Sequence, residues 1–290
     1  MRLITSTLVA LTAALASAHY NFERLIVNGK TTEPYEYVRA LGPMVGNGPF
    51  YDVKHTDIRC NNGSFAAASK TKTYPVKAGD TLGFTIRDVL GHPGPLFAYM
   101  SKSTVANVSA YQGEGDWFKI YEMGVKTYAN YSLAMTWLSD GWKTFDFKIP
   151  SDIENGQYLL RAEHIAIHSA GGPDGAGAQF YIGCAQIEVS GATGKKPSPV
   201  GKFPGICKPL RGSRSGEYVV DFSFTDNSRD PGIYFNPYWP PIVNYTMPGP
   251  KVYPDGGSFP AFTADPAKPV ATQPLPASFA GAKPTAASVA

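Results

Sequence analysis

The chain has 290 residues, with 26 Lys and Arg against 23 Asp and Glu and a formal net charge of +3. That balance, with no Lys/Arg cluster, argues against nucleic acid or an anionic membrane as partner, and no apolar run after the first eighteen residues reaches the ~18 needed to span a bilayer. Seventeen Tyr, 16 Phe, 30 Gly and 25 Pro, with few amphipathic helical patterns, predict an all-β fold with many loops.

Met1–Ala18 reads as a secretory leader. Arg2 supplies the positive start, Leu3–Leu15 an apolar run, and Ala16-Ser17-Ala18 an A-x-A cleavage site. The expectation is a secreted, extracellular protein whose mature chain begins at His19. An N-terminal His carries a free α-amino group and an imidazole, and both can bind one metal ion without strain.

Strands are predicted at Asn21–Val27, Tyr74–Val76, Thr81–Arg87, Leu96–Tyr99, Trp117–Glu122, Thr144–Ile149, Gln157–His168 and Ala178–Val189. Turn residues punctuate all of them, and the spacing suits an antiparallel β-sandwich. Long loops, Thr31–Lys54 and Lys102–Gly115, lie between strands, and loops of that length commonly carry function. Residues 255–290 are rich in Pro, Ala, Gly, Ser and Thr and read as a flexible tail. The organisation is then a leader over 1–18, one β-sandwich domain over 19–254, and the tail.

Of three cysteines, two should pair in an oxidising compartment. If the last strand is regular, Ala178, Phe180, Ile182 and Cys184 share an apolar, core-facing side, while Gln179 and Tyr181 share a polar one. The inward position of Cys184 favours a Cys60–Cys184 bridge, with Cys60–Cys207 the alternative pairing. Asn62, Asn107, Asn130 and Asn244 head N-glycosylation sequons.

His92 sits in Gly91-His92-Pro93-Gly94-Pro95, a stiff turn between two strands that exposes the ring at the end of a sheet. A phenol and an amide on one strand face, Tyr181 and Gln179, can approach a metal centre beside it. His168 and His164 lie four apart at the end of the preceding strand.

The post-leader His19, the GHPGP loop, GDWFKIYEMG from Gly115, YLLRAEHIAIHSAGGPDGAGAQFYIGCAQIEV from Tyr158 and DPGIYFNPYWPPIVNYTMPGP from Asp230 occur in an order that resembles the fungal lytic polysaccharide monooxygenases of auxiliary activity family 9. The likeness runs from His19 to about Pro254. It implies an immunoglobulin-like sandwich with a flat substrate face. It implies one copper ion held by a histidine brace: the α-amino nitrogen and imidazole of His19 and the imidazole of His92. Tyr181 is then the axial tyrosine, and His168 and Gln179 the outer pair that hydrogen-bonds and protonates oxygen species. His164 is structural, and His55 has no assigned role. The chemistry implied is oxidation of C1 and/or C4 of β-1,4-linked glucose in cellulose or a related β-glucan. It uses O2 or H2O2 and a small-molecule or protein electron donor, in a monomeric enzyme. Aromatic rings for sugar stacking are expected at Tyr245 and Tyr20, with Tyr35 and Tyr37 as further candidates. Pro209–Arg229 looks like extra sequence relative to the family.

Two other classes fit the sequence less well. A classical glycoside hydrolase needs two facing carboxylates about 5–10 Å apart, and Glu163 has no evident carboxylate partner; an ion pair with Arg161 on the same strand face suits it better. A secreted copper-binding or carbohydrate-binding protein without cleavage activity would need no His168 and Gln179 beside the metal.

Overall fold

The computed structural model describes residues 19–43, 45–128, 135–171, 177–206, 230–237 and 244–254. The leader, Cys207, the 209–229 stretch, Asn130 and the 255–290 tail lie outside the described residues. The strands are β1 (Phe22–Val27), β2 (Lys30–Thr31), β3 (Tyr74–Lys77), β4 (Thr81–Ile86), β5 (Leu96–Lys102), β6 (Phe118–Met123), β7 (Val125–Thr127), β8 (Thr136–Trp137), β9 (Thr144–Lys148), β10 (Gly156–Ala166) and β11 (Gln179–Ser190).

One sheet runs β2-β1-β4-β9 and the other β3-β11-β10-β5-β6, with β7 and β8 as a separate ribbon. The pairings are antiparallel except that of β3 with β11. All eight expected strands are present. Strand β5 runs on to Lys102 because Tyr158 of β10 supplies its partner there. Strand β10 stops at Ala166, where its pairing with Gln179, the first residue of β11, ends. The short β2, β7 and β8 carry too few residues for an alternation pattern to register, and the sequence reading missed them.

The core between the sheets packs Phe22, Leu25, Phe84 and Phe145 of the smaller sheet against Ala98, Leu160, Ala185 and Ile187 of the larger. Full burial of a large apolar side chain contributes about 1.5–3 kcal/mol. A second apolar layer lies on the other face of the larger sheet, where Phe97, Leu159, Ile165, Phe180 and Ile182 are covered by loops. This corrects the expected polarity of β11. Alternation holds, and the register passes through Gly183 without a bulge. Both faces are nevertheless buried: Tyr181 points between the sheets, while Phe180, Ile182 and Cys184 point under the loops.

The covering layer is held by polar and covalent ties. Cys60 and Cys184 are disulfide-bonded, as expected. Loop 31–54 runs along β11: the N–H of Arg39 donates to Cys184 O (2.8 Å), and Phe50 exchanges two main-chain bonds with Phe180 (2.8 and 2.9 Å). Arg161, fully buried, pairs with Glu163 at 2.6 Å and donates to the carbonyls of Ile58 and Arg59, with its guanidinium over the Phe203 ring. The Glu163–Arg161 ion pair is therefore present, and the bonds of Arg161 to Ile58 O and Arg59 O fasten the Thr56–Arg59 turn to β10. His55, unassigned from sequence, caps that turn: its Nδ1 accepts the Asp57 N–H.

Candidate metal centre

Three chain segments meet at one end of the sandwich. His19 lies three residues before the start of β1, and β1 can lie close to β11 because Gly183 has no side chain. A Cβ at Gly183 would come within 2.8 Å of Phe22 Cβ and 2.9 Å of its carbonyl oxygen. That approach brings the start of β1 to Tyr181. The ring centroid of His19 lies 6.2 Å from that of Tyr181 and 5.9 Å from that of His92, and His92 lies 5.9 Å from Tyr181.

The GHPGP turn is pinned to the end of β10. The N–H groups of Ile165 and Ile167 donate to Pro95 O and Pro93 O at 3.1 and 2.9 Å. Gly94 lies so close to that strand that a Cβ would fall 1.8 Å from Ile165 O. Only glycine fits there, which fixes the position of His92 two residues earlier. His92 is half-buried, and its Nε2 is shielded from solvent with no hydrogen-bond partner among the described residues. Burial, then the neighbouring His168 and His19, push its pKa down to about 4. The ring is therefore neutral at pH 7, with an uncommitted nitrogen, as a metal ligand must be.

Below this pair lies a buried polar stack. The Tyr20 ring stacks on Tyr181 at 4.1 Å, and its hydroxyl is 2.5 Å from His164 Nδ1. His164 Nε2 is 3.2 Å from the carbonyl oxygen of Gly94. A carbonyl only accepts, so Nε2 carries the proton, Nδ1 accepts, and Tyr20 donates. Burial lowers the His164 pKa to about 3 and raises those of Tyr20 and Tyr181, so all three groups are neutral. His164 is thus structural, as the motif reading held.

Two expected substrate contacts need correction. Tyr20 is completely buried, because its ring fills the space between Tyr181 and His164. Tyr245 is buried too. Its hydroxyl donates to Gly232 O (2.6 Å), its N–H donates to the Tyr128 hydroxyl (2.9 Å), and its ring meets Trp137 edge-on. Tyr37 packs against Tyr74, and Tyr35 is half-buried beside the Asn21 amide. Asn62, Asn107 and Asn244 are exposed.

The His168 ring stacks on His92 with centroids 4.4 Å apart, just past the end of β10. Gln179 Oε1 accepts the Tyr181 hydroxyl at 2.9 Å. Sequence reasoning missed Tyr51 and Tyr234, two exposed tyrosines at 52% and 44% accessibility. Phe50 bridges Phe180 in antiparallel register, so Tyr51 lies opposite Gln179 on the face that Gln179 shares with Tyr181. Tyr51 also raises the Tyr181 pKa, after burial. Among the described residues no group of three His, Cys, Asp or Glu side chains converges to hold a metal. The imidazoles of His19 and His92 do come together there, with ring centroids 5.9 Å apart.

The family model of Auxiliary Activity family 9 (formerly GH61) matches residues 19–245. The AA9 family lytic polysaccharide monooxygenase C of Emericella nidulans is 44% identical over 252 residues, covering 87% of this chain and 97% of the relative. The AA9 family lytic polysaccharide monooxygenase H of Malbranchea cinnamomea is 38% identical over 87% of this chain and 99% of the relative. Among solved structures, a cellulose-active polysaccharide monooxygenase from M. thermophila superposes with a TM-score of 0.62 at 26% identity, over 81% of this chain and 99% of that one. The extended catalytic domain of H. jecorina LPMO9A gives 0.65 at 26% identity, over 89% and 100%. With the paired imidazoles, the disulfide and the sandwich all in place, this chain belongs to Auxiliary Activity family 9, the AA9 lytic polysaccharide monooxygenases.

Proposed function

We propose that the chain is a secreted copper monooxygenase that cleaves cellulose or a related β-1,4-glucan by oxidation at C1 and/or C4, using O2 or H2O2 and an external electron donor. The observation that carries this reading is the His19–His92 pair above Tyr181, with His92 Nε2 buried and uncommitted. Cleavage after Ala18 would free the α-amino group of His19 as the third nitrogen of a tetragonal set, the donor type that suits Cu(II). Copper bound there would supply the one-electron chemistry that activates the oxidant for attack on a C–H bond.

The chain's own groups have separable tasks. His92, neutral at pH 7, and His19 would hold the metal. Tyr181 fills the position beneath them, and its raised pKa keeps it a phenol rather than a phenolate. Burial, then His19, lowers the pKa of His168, so its imidazole is neutral and able to take and return a proton at a ring nitrogen. Gln179 accepts from Tyr181, which leaves its NH2 group to donate. The domain over 19–254 would be a monomer, with residues 255–290 a flexible tail. Exposed Asn62, Asn107 and Asn244 are the candidate glycan acceptors, together with Asn130.

The test uses protein that begins at His19, copper-loaded, with ascorbate and amorphous cellulose, products read by mass spectrometry. Aldonic-acid or C4-keto oligosaccharides are expected. They should vanish without reductant, or when one extra residue precedes His19. Unoxidised oligosaccharides would point to a hydrolase. Tight copper binding without products from any β-glucan would favour a binding protein that does not cleave.

A further inference from the structure

With cleavage after Ala18, His19 would be a chain end, and chain ends fray unless they are tied down. The arm from His19 to Asn21 is tied at several points. The Tyr20 ring lies against Tyr181 and His164, as described above. Asn21 O accepts the N–H of Arg87 at 2.8 Å, which carries the pairing of β1 with β4 one residue beyond Phe22. The Asn21 side chain is buried and points its amide at loop 31–54. Its Nδ2 donates to Gly46 O (2.9 Å) and to Asn47 Oδ1 (3.1 Å), with the Tyr35 hydroxyl at 3.5 Å. A main-chain carbonyl only accepts, so the amide nitrogen has to face Gly46, and both of its protons are spent on that loop.

The strand pairing explains why a tie is needed here. Phe22 pairs with Ile86 and Arg24 with Thr85, so Glu23 is an extra residue without a partner in β4. A bulge of this kind bends its strand and re-aims the residues before it. The Glu23 carbonyl is taken up by the N–H of Tyr35 at 2.7 Å, and Tyr35 makes that bond at φ +56°, a left-handed conformation unfavourable for a tyrosine. Such strain persists where surrounding contacts outweigh it. Loop 31–54 therefore grips the arm twice, through main chain at the bulge and through the Asn21 amide just before it. The loop is itself pinned to β11 by the Phe50–Phe180 pair, between Gln179 and Tyr181.

On these grounds, and resting on the reading of His19 and His92 as metal ligands, we infer that Asn21 is a positioning residue: its amide locks loop 31–54 to the bulged arm and so fixes the direction from which His19 meets the metal. Asn21 supplies no atom to the ligand set. It acts through His19, by ordering the arm before the metal arrives. An arm left free would have to be ordered on binding, and the lost entropy would lower the affinity.

The test uses protein that begins at His19. Asn21→Ala removes the amide, and Asn21→Asp keeps its shape but turns an oxygen toward Gly46 O. Each should raise the dissociation constant for Cu(II) roughly tenfold in calorimetry. Each should also shift the hyperfine splitting of the bound ion in electron paramagnetic resonance, a signature of ligand direction that a loss of stability alone would not move. Gln157→Ala is the control. It deletes a comparable bond, from the Val108 N–H to Gln157 Oε1 (2.7 Å), at the opposite end of β10, and should leave both readouts as in the parent. A parent spectrum in both Asn21 variants would overturn the inference whatever their affinity, and so would an equal shift in Gln157→Ala. If both Asn21 variants misfold, Asn47→Ala decides, because it takes one acceptor from a half-exposed loop: a shifted spectrum supports the tie and a parent spectrum overturns it. A parent protein that binds no Cu(II) would defeat the metal-centre reading and the inference with it. Copper binding and spectral shifts as expected, with no oxidised products from a β-glucan and reductant, would defeat the monooxygenase reading alone.

Discussion

His164 and His92 occupy the same corner of the sandwich, and burial depresses both, to about 3 and about 4. They differ in what their nitrogens meet. His164 has both committed, one to the Tyr20 hydroxyl and one to Gly94 O. His92 keeps Nε2 buried and unused. Desolvation alone therefore does not mark a ligand; an uncommitted lone pair does. A satisfied buried histidine is architecture, and here that architecture positions its neighbour, since the carbonyl of Gly94 that holds His164 belongs to the turn that carries His92.

The comparison breaks most sharply at His92. His92→Ala should weaken Cu(II) binding by at least about 100-fold in calorimetry, more than loss of an outer-shell partner would cost, with little change in the melting temperature of the copper-free protein. A His92→Ala protein that binds copper like the parent would remove it from the ligand set. Gly94→Ala acts on both histidines. Its Cβ cannot coexist with Ile165 O, so a loss of about 3 kcal/mol in denaturant unfolding is expected, with weaker copper binding besides. Tyr20→Phe touches only the architecture. It leaves Nδ1 of His164 buried without a donor and should cost about 1–3 kcal/mol, while copper affinity falls far less than in His92→Ala.

The smallest effect is a pH dependence. Both histidines have folded pKa values below the ordinary 6.5, so between about 6.5 and 4 the unfolded chain binds more protons than the folded one. The stability they contribute is present above 6.5 and is lost as pH falls through that window. Asp230 opposes them. Burial raises its carboxyl to about 6, so its contribution falls as pH rises from about 3.8 to 6. The melting temperature of Asp230→Asn should therefore drop more steeply on acidification than that of the parent. An identical slope in the two proteins would remove Asp230 from the balance.

Much of this was legible in the sequence, for local reasons. Turn residues and period-two runs located eight strands. Alternation in β11 put Gln179 with Tyr181 and Cys184 on the opposite face. The GHPGP turn announced itself by its own stiffness. What failed was burial. The resemblance places Tyr20 and Tyr245 among the sugar-stacking rings. Tyr20 is instead enclosed by His164, 144 residues away, and Tyr245 by Gly232 and Trp137. Likewise the polar side expected of β11 faces the second sheet, and its other side is covered by loops whose path no strand pattern encodes.

By itself, then, the sequence placed eight strands, favoured the pairing of Cys60 with Cys184, and through the family resemblance singled out His19, His92, His168, Gln179 and Tyr181. Those rest on spacing, residue chemistry and motif order, which the chain carries locally. Only the tertiary structure decided which histidine is satisfied and which tyrosines reach solvent. Hydrogen-bond partners and cover come from segments brought together by sheet packing, at contacts such as Gly183 against Phe22 and Gly94 against Ile165, and a side chain's environment is set by those distant neighbours rather than by the residues beside it.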